Sequence, residues 1–211
     1  MIKRKINANG TDIEFEVLSQ NGKLDGKSYG QFLADSWNKL VSDDPDKSDG
    51  HILYLRTSVN PKEAPLRKTV KIFSDQVIFL PVISTSMNTN DSPDLDTEAK
   101  RRAAANRDTD KGDNPPQPQH VTIDGKPVVE NLKDFRVESP EFMLNVHDES
   151  VLKNKFDNPY RAGTLPTVAV GYCVIVKSLP SRDRPYTIHI EANGQDGYYT
   201  EAIYELQVIN R

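Results

Sequence analysis

The stretch SMNTNDSPDLD, residues 86–96, concentrates oxygen-bearing side chains: Asn88, Asn90, Asp91, Asp94 and Asp96. Loop carboxylates and amides of this kind are what Ca²⁺ takes, so Asp91, Asp94 and Asp96 are candidate calcium ligands. The same clustering of Asp, Asn, Ser and Pro also makes turns with no ion, because these side chains bond their own backbone. The turn is the favoured reading. A second acidic stretch, DDPDKSDGHIL, places Asp44, Asp46 and Ser48 at the alternate spacing of a calcium loop. Gly50 falls one place late for the required turn, and Leu55 stands where a bidentate Glu belongs, so this segment reads as a solvated turn.

Transition metals need nitrogen or sulfur donors at close spacing. The four histidines, His51, His120, His147 and His189, are far apart in the chain and form no H-x-H pair. The tripeptide HIE puts His189 and Glu191 on the polar face of one strand, and this pair reads as surface. No G-x-S-x-G elbow is present. Cys173 is the only cysteine and lies in the apolar run GYCVIV, where a buried, inert thiol is the default. Carboxylate pairs such as Glu138/Glu141 and Asp148/Glu149 are too common in polar loops to mark a glycosidase-type site. Tyr186, Tyr198, Tyr199 and Tyr204 would make a sugar-stacking strip only if several faced outward. Alternation sends Tyr198 and Tyr204 to the core side and Tyr199 out. These residues leave the catalytic, cofactor and metal assignments empty, apart from the weak calcium candidates.

The chain of 211 residues has a formal charge of −4. That length fits one domain with a core of its own. The charge balance lacks the basic excess that neutralising phosphates demands, which argues against nucleic acid. One cysteine allows no intrachain disulfide. No apolar run approaches the length of a membrane-spanning helix. The charged start MIKRKINANG is not followed by the apolar stretch of a signal peptide. The expectation is a location in the cytoplasm or within an assembled particle.

The elements that must position these residues are mostly strands. KRKINANGTDIEFEVL alternates, with Ile13, Phe15 and Val17 on one face, and Asn9-Gly10 is a hairpin turn signal. An N-terminal hairpin is expected over residues 1–20. In KSYGQFLADSWNKLV the period changes to three and four, which predicts a helix over 29–42. Ser28 is its cap, and Trp37 should lie on a sheet. HILYLRTSV and KTVKIFSDQVIFLPVISTS are rich in β-branched and aromatic residues. VIFLPVI suits a central strand, with Pro81 at a bend or an edge. The polar stretch 88–118 reads as a surface insertion. Its TEAKRRAAANRD segment forms a loosely held helix near 96–108, and Pro-rich DKGDNPPQPQ follows. HVTIDGKPVV is two strands about an Asp-Gly turn, and DFRVESPEFMLNV a strand pair or a bent strand. VHDESVLKNKFDNPYRAGTLPT reads as a long polar loop. VAVGYCVIVKSL, PYTIHIEANG and GYYTEAIYELQVI are strands, the last two joined as a hairpin. The whole predicts a mainly β, antiparallel β-sandwich or jelly-roll-like domain spanning 1–211, with one amphipathic helix near the N-terminus.

The order of DSW, HILYLRTS, KTVKIFSDQVIFLPVIS, VTIDGKPV, FRVESPEFMLNV, VAVGYCVIVKSLPSRDRPYTIHIEANG and YELQVI resembles a family of uncharacterised bacterial and archaeal proteins, often secreted. The resemblance runs over residues 30–210 and implies a β-sandwich. That family has no established activity, so the resemblance carries over no catalytic residue. The chain departs from it in lacking paired cysteines and a leader, and in its extra N-terminal hairpin.

The functional expectation is a non-enzymatic structural or binding module, part of a larger assembly such as a virion or a cell-surface layer. Its partner would be another protein or further copies of itself. The alternatives are a carbohydrate-binding sandwich, or a hydrolase or isomerase whose site is gathered from dispersed His51, His147, His189 and carboxylates.

Overall fold

The computed structural model describes residues 1–8, 10–41, 50–57, 65–112, 119–147, 161–193 and 199–211. The calcium-loop-like segment from Asp44, the pair Asp148/Glu149 and Tyr198 fall outside the described residues.

The chain is mainly β, as two large sheets, with two helices against one of them, and a small two-stranded ribbon before the first helix. In order, the strands are β1 (Ile2–Ala8), β2 (Thr11–Val17), β3 (Lys23–Leu24), β4 (Lys27–Ser28), β5 (Ile52–Tyr54), β6 (Leu66–Phe73) and β7 (Val77–Met87). They continue as β8 (Gln119–Ile123), β9 (Lys126–Pro127), β10 (Arg136–Glu138), β11 (Phe142–Val146), β12 (Gly163–Lys177), β13 (Tyr186–Asn193) and β14 (Tyr199–Ile209). Helix α1 covers Tyr29–Leu40, helix α2 covers Glu98–Gly112, and a short 3₁₀ turn covers Leu132–Phe135.

The first sheet runs β1-β2-β12-β7-β5, with β10 and β11 also paired to the long β12. The second runs β6-β14-β13-β8-β9. Most pairs are antiparallel. Among the described residues two are parallel, β6 with β14 and β5 with β7, the latter because β6, between them in the chain, lies in the other sheet. The consecutive strands β6 and β7 therefore do not form a hairpin. Each belongs to a different sheet.

Alternation decides which side chains enter the core. Ile13, Phe15 and Val17 of β2 are buried, as are Ile188 and Ile190 of β13 and Ala202, Tyr204, Leu206 and Val208 of β14. Their neighbours Thr187, His189, Glu191, Glu201, Ile203 and Glu205 are only half-buried on the outer face of the second sheet. Strand β7 is buried through Val77–Leu80, between β12 and β5. Its Pro81 sits where the register with β12 shifts between Tyr172 and Cys173, a bulge that tolerates a residue with no N–H. β5 ends at Tyr54, opposite Phe79, so Pro81 also lies beyond the reach of that neighbour.

Helix α1 begins with a full capping box. The Ser28 hydroxyl accepts from the Gln31 N–H, and the Gln31 side chain accepts from the Ser28 N–H. Tyr29, Phe32 and Leu33 are its buried face, and Phe32 stacks on Phe79 with ring centroids 6.3 Å apart. Trp37 is only partly buried and packs at the end of the core, beside Val41 and Leu144. At Gly30 a Cβ would collide with the Glu138 carbonyl, so only glycine lets the helix approach β10 this closely.

Helix α2 forms where the sequence places it, but it is not loosely held. Arg101, Ala104, Ala105 and Thr109 are buried against β7 and β12. Glu141 lies on the buried Arg101 guanidinium, which also donates to the Leu95 carbonyl at 2.8 Å. Arg102 reaches Glu138 at 3.0 Å, and Arg136 reaches Asn106 and Asp110 at 2.6 and 2.8 Å. The expected long polar loop is shorter than read. Its last part, from Gly163, is already strand, paired with β11 from Val146↔Gly163 to Phe142↔Thr167.

Candidate functional site

Three neighbouring strands of the second sheet bring together chemistry that is dispersed in the sequence. Strand β13 contributes His189 and Glu191, two residues apart and so on one face. Antiparallel pairing sets Glu191 directly opposite His120 of β8 on one side and Glu201 of β14 on the other. His189 is then diagonal to both. Opposite side chains stand about 5 Å apart at Cβ and diagonal ones about 7–8 Å apart, which long polar side chains span.

The contacts follow that register. His120 Nε2 lies 2.9 Å from Glu191 Oε2, and His189 Nε2 lies 2.8 Å from Glu201 Oε1. The two imidazoles meet edge to face, with centroids 5.5 Å apart. All four side chains are partly shielded, and Glu201 is only 18% exposed. Tyr199 borders the group on β14. Burial, then a hydrogen bond to Glu201 and the charges of Glu191 and Glu201, push its hydroxyl up to about 12. Glu191 and Glu201 are like charges placed directly across a strand pair, an arrangement that is unfavourable unless something positive joins them. Their ion-pair partners among the described residues are the two imidazoles.

The candidates named from the sequence go elsewhere. Asp91 Oδ2 accepts from the Asn88 N–H at 2.8 Å, and Asn88 Oδ1 accepts from the Asn90 N–H at 2.8 Å, a turn built from its own side chains. Asp94 is exposed, and Asp96 pairs with Lys100 at 2.7 Å, one turn into α2. Among the described residues the group whose ligand atoms converge is His120, His189 and Glu191, not these aspartates. Glu138 and Glu141 serve as anchors for α2. Cys173 is fully buried, and burial pushes its thiol up, away from the reactive thiolate. His51 and His147 are exposed, before β5 and after β11. They do not join His189. Tyr186 and Tyr204 point into the core and Tyr199 lies on the outer face, as alternation requires.

A groove runs beside α1, lined by Trp37, Leu40, Leu55, Arg56, Pro81 and Ile83, with no carboxylate, histidine or cysteine among the described residues of its wall.

His120 and Glu201 are the residues that sequence reasoning missed. The available signal was the outward position of each in an alternating strand. What brings them to His189 is the strand order, and between β8 and β13 the chain makes β9, which pairs with β8, and then β10, β11 and β12, which pair in the first sheet.

Comparison with known proteins finds no match for this chain among family models, curated proteins or solved structures.

Proposed function

We propose that this chain is a non-enzymatic structural or binding module that works through surfaces of a rigid sandwich, as one component of a larger assembly such as a virion or a cell-surface layer. One observation supports this reading above the others. The histidines and carboxylates that converge do so on the open outer face of a sheet, whereas the groove beside α1 is lined by none of them. Catalysis needs reacting groups held in a pocket that positions a substrate and excludes water. An open, half-buried face suits contact with a macromolecule instead. Both helices cover the first sheet, and among the described residues no helix covers the outer face of the second.

Light scattering on the purified chain tests the reading. The expected result is a defined oligomer, reduced to monomer by Ile203→Asp on the outer face with the circular dichroism unchanged. A chain that stays monomeric at all concentrations and turns over an ester, glycoside or phosphate substrate overturns it.

A further inference from the structure

We propose that His120, His189 and Glu191 form a binding site for one divalent transition-metal ion of the Zn²⁺ class. Glu201 would serve as the carboxylate that orients His189. The nitrogen and oxygen ligand atoms of the three residues all lie within 4.8 Å of one another. A tetrahedral Zn²⁺ with bonds of about 2.0–2.2 Å separates its ligands by about 3.4 Å, so small side-chain rotations close the set around an ion.

Four features point to an ion. First, the donor set of two imidazoles and one carboxylate is what Zn²⁺ and its neighbours take, whereas Ca²⁺ and Mg²⁺ take oxygen. Second, the ligands stand on adjacent strands of one sheet, β8 and β13, whose pairing fixes their spacing before any ion arrives. Third, Glu201 lies outside the converging group but holds His189 Nε2 at 2.8 Å. Donation of that N–H to a carboxylate leaves the Nδ1 lone pair for the metal and fixes the tautomer, the usual arrangement around a ligating histidine. Fourth, Glu191 and Glu201 face each other across the strand pair, and a dication beside them relieves their repulsion.

The ion would rest above the outer face, with three protein ligands below it and its fourth position directed away from the sheet, toward water. Binding displaces the His120–Glu191 hydrogen bond. The imidazole lone pair and the carboxylate oxygen both turn to the metal, and any shared proton leaves to solvent. No oxidation or bond cleavage is involved. The site is independent of the assembly role proposed above, since an ion there would stabilise the second sheet whether or not the face has a partner.

The test is calorimetric titration of the chelator-treated full chain with ZnCl₂, with CaCl₂ in parallel, followed by replacement with Co²⁺ and its visible spectrum. We expect one Zn²⁺ per chain, no saturable Ca²⁺ binding, and the intense Co²⁺ absorption of a four-coordinate site. His120→Ala and His189→Ala should each abolish the binding. Glu201→Gln should weaken it about 10- to 100-fold while leaving one equivalent. His51→Ala and His147→Ala, at exposed histidines elsewhere, should leave it unchanged. Each variant is checked by circular dichroism and thermal unfolding without metal, so that loss of binding is not loss of fold. Absence of saturable Zn²⁺ binding by the folded chain overturns the assignment. So does binding that survives the His120→Ala, His189→Ala double variant, or that disappears with His51 or His147.

Discussion

Three tyrosine hydroxyls carry backbone hydrogen bonding in and beside the core. The Tyr29 hydroxyl donates to the Leu18 carbonyl at 2.8 Å and accepts from the Ile175 N–H at 3.1 Å, so a helix side chain completes hydrogen bonding between β2 and β12. Tyr204 does the same for the Arg56 backbone, and Tyr186 donates to the Pro180 carbonyl. Asp124 is the charged counterpart. It occupies the first position of the Asp-Gly turn between β8 and β9, at φ 52° or so in its sister turn at Asp25 and φ 50° here, where Asn and Asp are tolerated. Its Oδ1 accepts from the Thr187 N–H at 3.0 Å, and its Oδ2 lies 2.7 Å from the Arg182 guanidinium, which itself covers the Tyr186 ring at 3.5 Å. Burial would raise the Asp124 carboxyl, but the Arg182 contact, the Thr187 N–H and the charges of Arg182 and Arg184 outweigh it and hold the group below its ordinary value. A carboxylate depressed in the folded state adds stability that is complete above its unfolded pKa of about 3.9 and is lost as pH falls through the folded value. Asp124→Asn keeps the positive φ and removes the charge. It should lower stability by about 2 kcal/mol at neutral pH, measured by urea unfolding, because the Arg182 charge is left without its partner. The gap between wild type and variant should narrow as pH drops below about 4. A gap that is constant from neutral to acid pH would show that the ion pair contributes nothing.

The two helices differ in how far their sequences announce them. Helix α1 carries its cap, its apolar period and its close-approach glycine in plain view: Ser28 with Gln31, Tyr29-Phe32-Leu33, and Gly30. Helix α2 was legible as a helix but not as a packed one. Its buried positions 101, 104, 105 and 109 follow helical spacing, yet they are filled by Arg, Ala, Ala and Thr, which carry no hydrophobic signal. Small residues let the helix sit close to β7 and β12, and arginines supply its long-range anchors. Arg101 is the test. Its side chain is 5% exposed and joins Glu141 to the Leu95 carbonyl. Arg101→Ala should cost about 3 kcal/mol in denaturant unfolding, near the lower end for removing one partner of a buried pair, since Glu141 retains some access to water. Deletion of 88–118 should therefore also destabilise the domain. An Arg101→Ala chain with an unchanged urea midpoint would mean that α2 is a passive surface element after all.

At the scale of the whole molecule, the strand content, the N-terminal hairpin, the Asp-Gly turn and the final hairpin were all readable from alternation and turn residues. The partnering of strands distant in sequence was not. Alternation says which side of a strand is buried, but it does not say which strand lies beside it. The parallel edges, the splitting of β6 and β7 between sheets, and the meeting of His120 with His189 all depend on that missing information. The same topology makes a prediction about domain structure. One hydrophobic cluster runs through both sheets, from Phe79 and Ile175 of the first to Ile188 and Leu206 of the second. Strands β13 and β14 are the middle of the second sheet, so among the described residues β6 has no other neighbour and β8 is otherwise paired only to the two-residue β9. A chain ending at residue 185 would lose Tyr186, Ile188, Ile190, Ala202, Tyr204, Leu206 and Val208 from the core, all at most 2% exposed in the intact protein. Removing that much apolar surface exceeds the margin by which a domain of this size is stable, about 5–15 kcal/mol. The truncated chain should show no cooperative thermal transition and should be digested along its whole length in limited proteolysis. A cooperative transition with a protease-resistant fragment containing α1, β7 and β12 would show instead that the first sheet and its helices fold alone, and that the second sheet is an attachment to them.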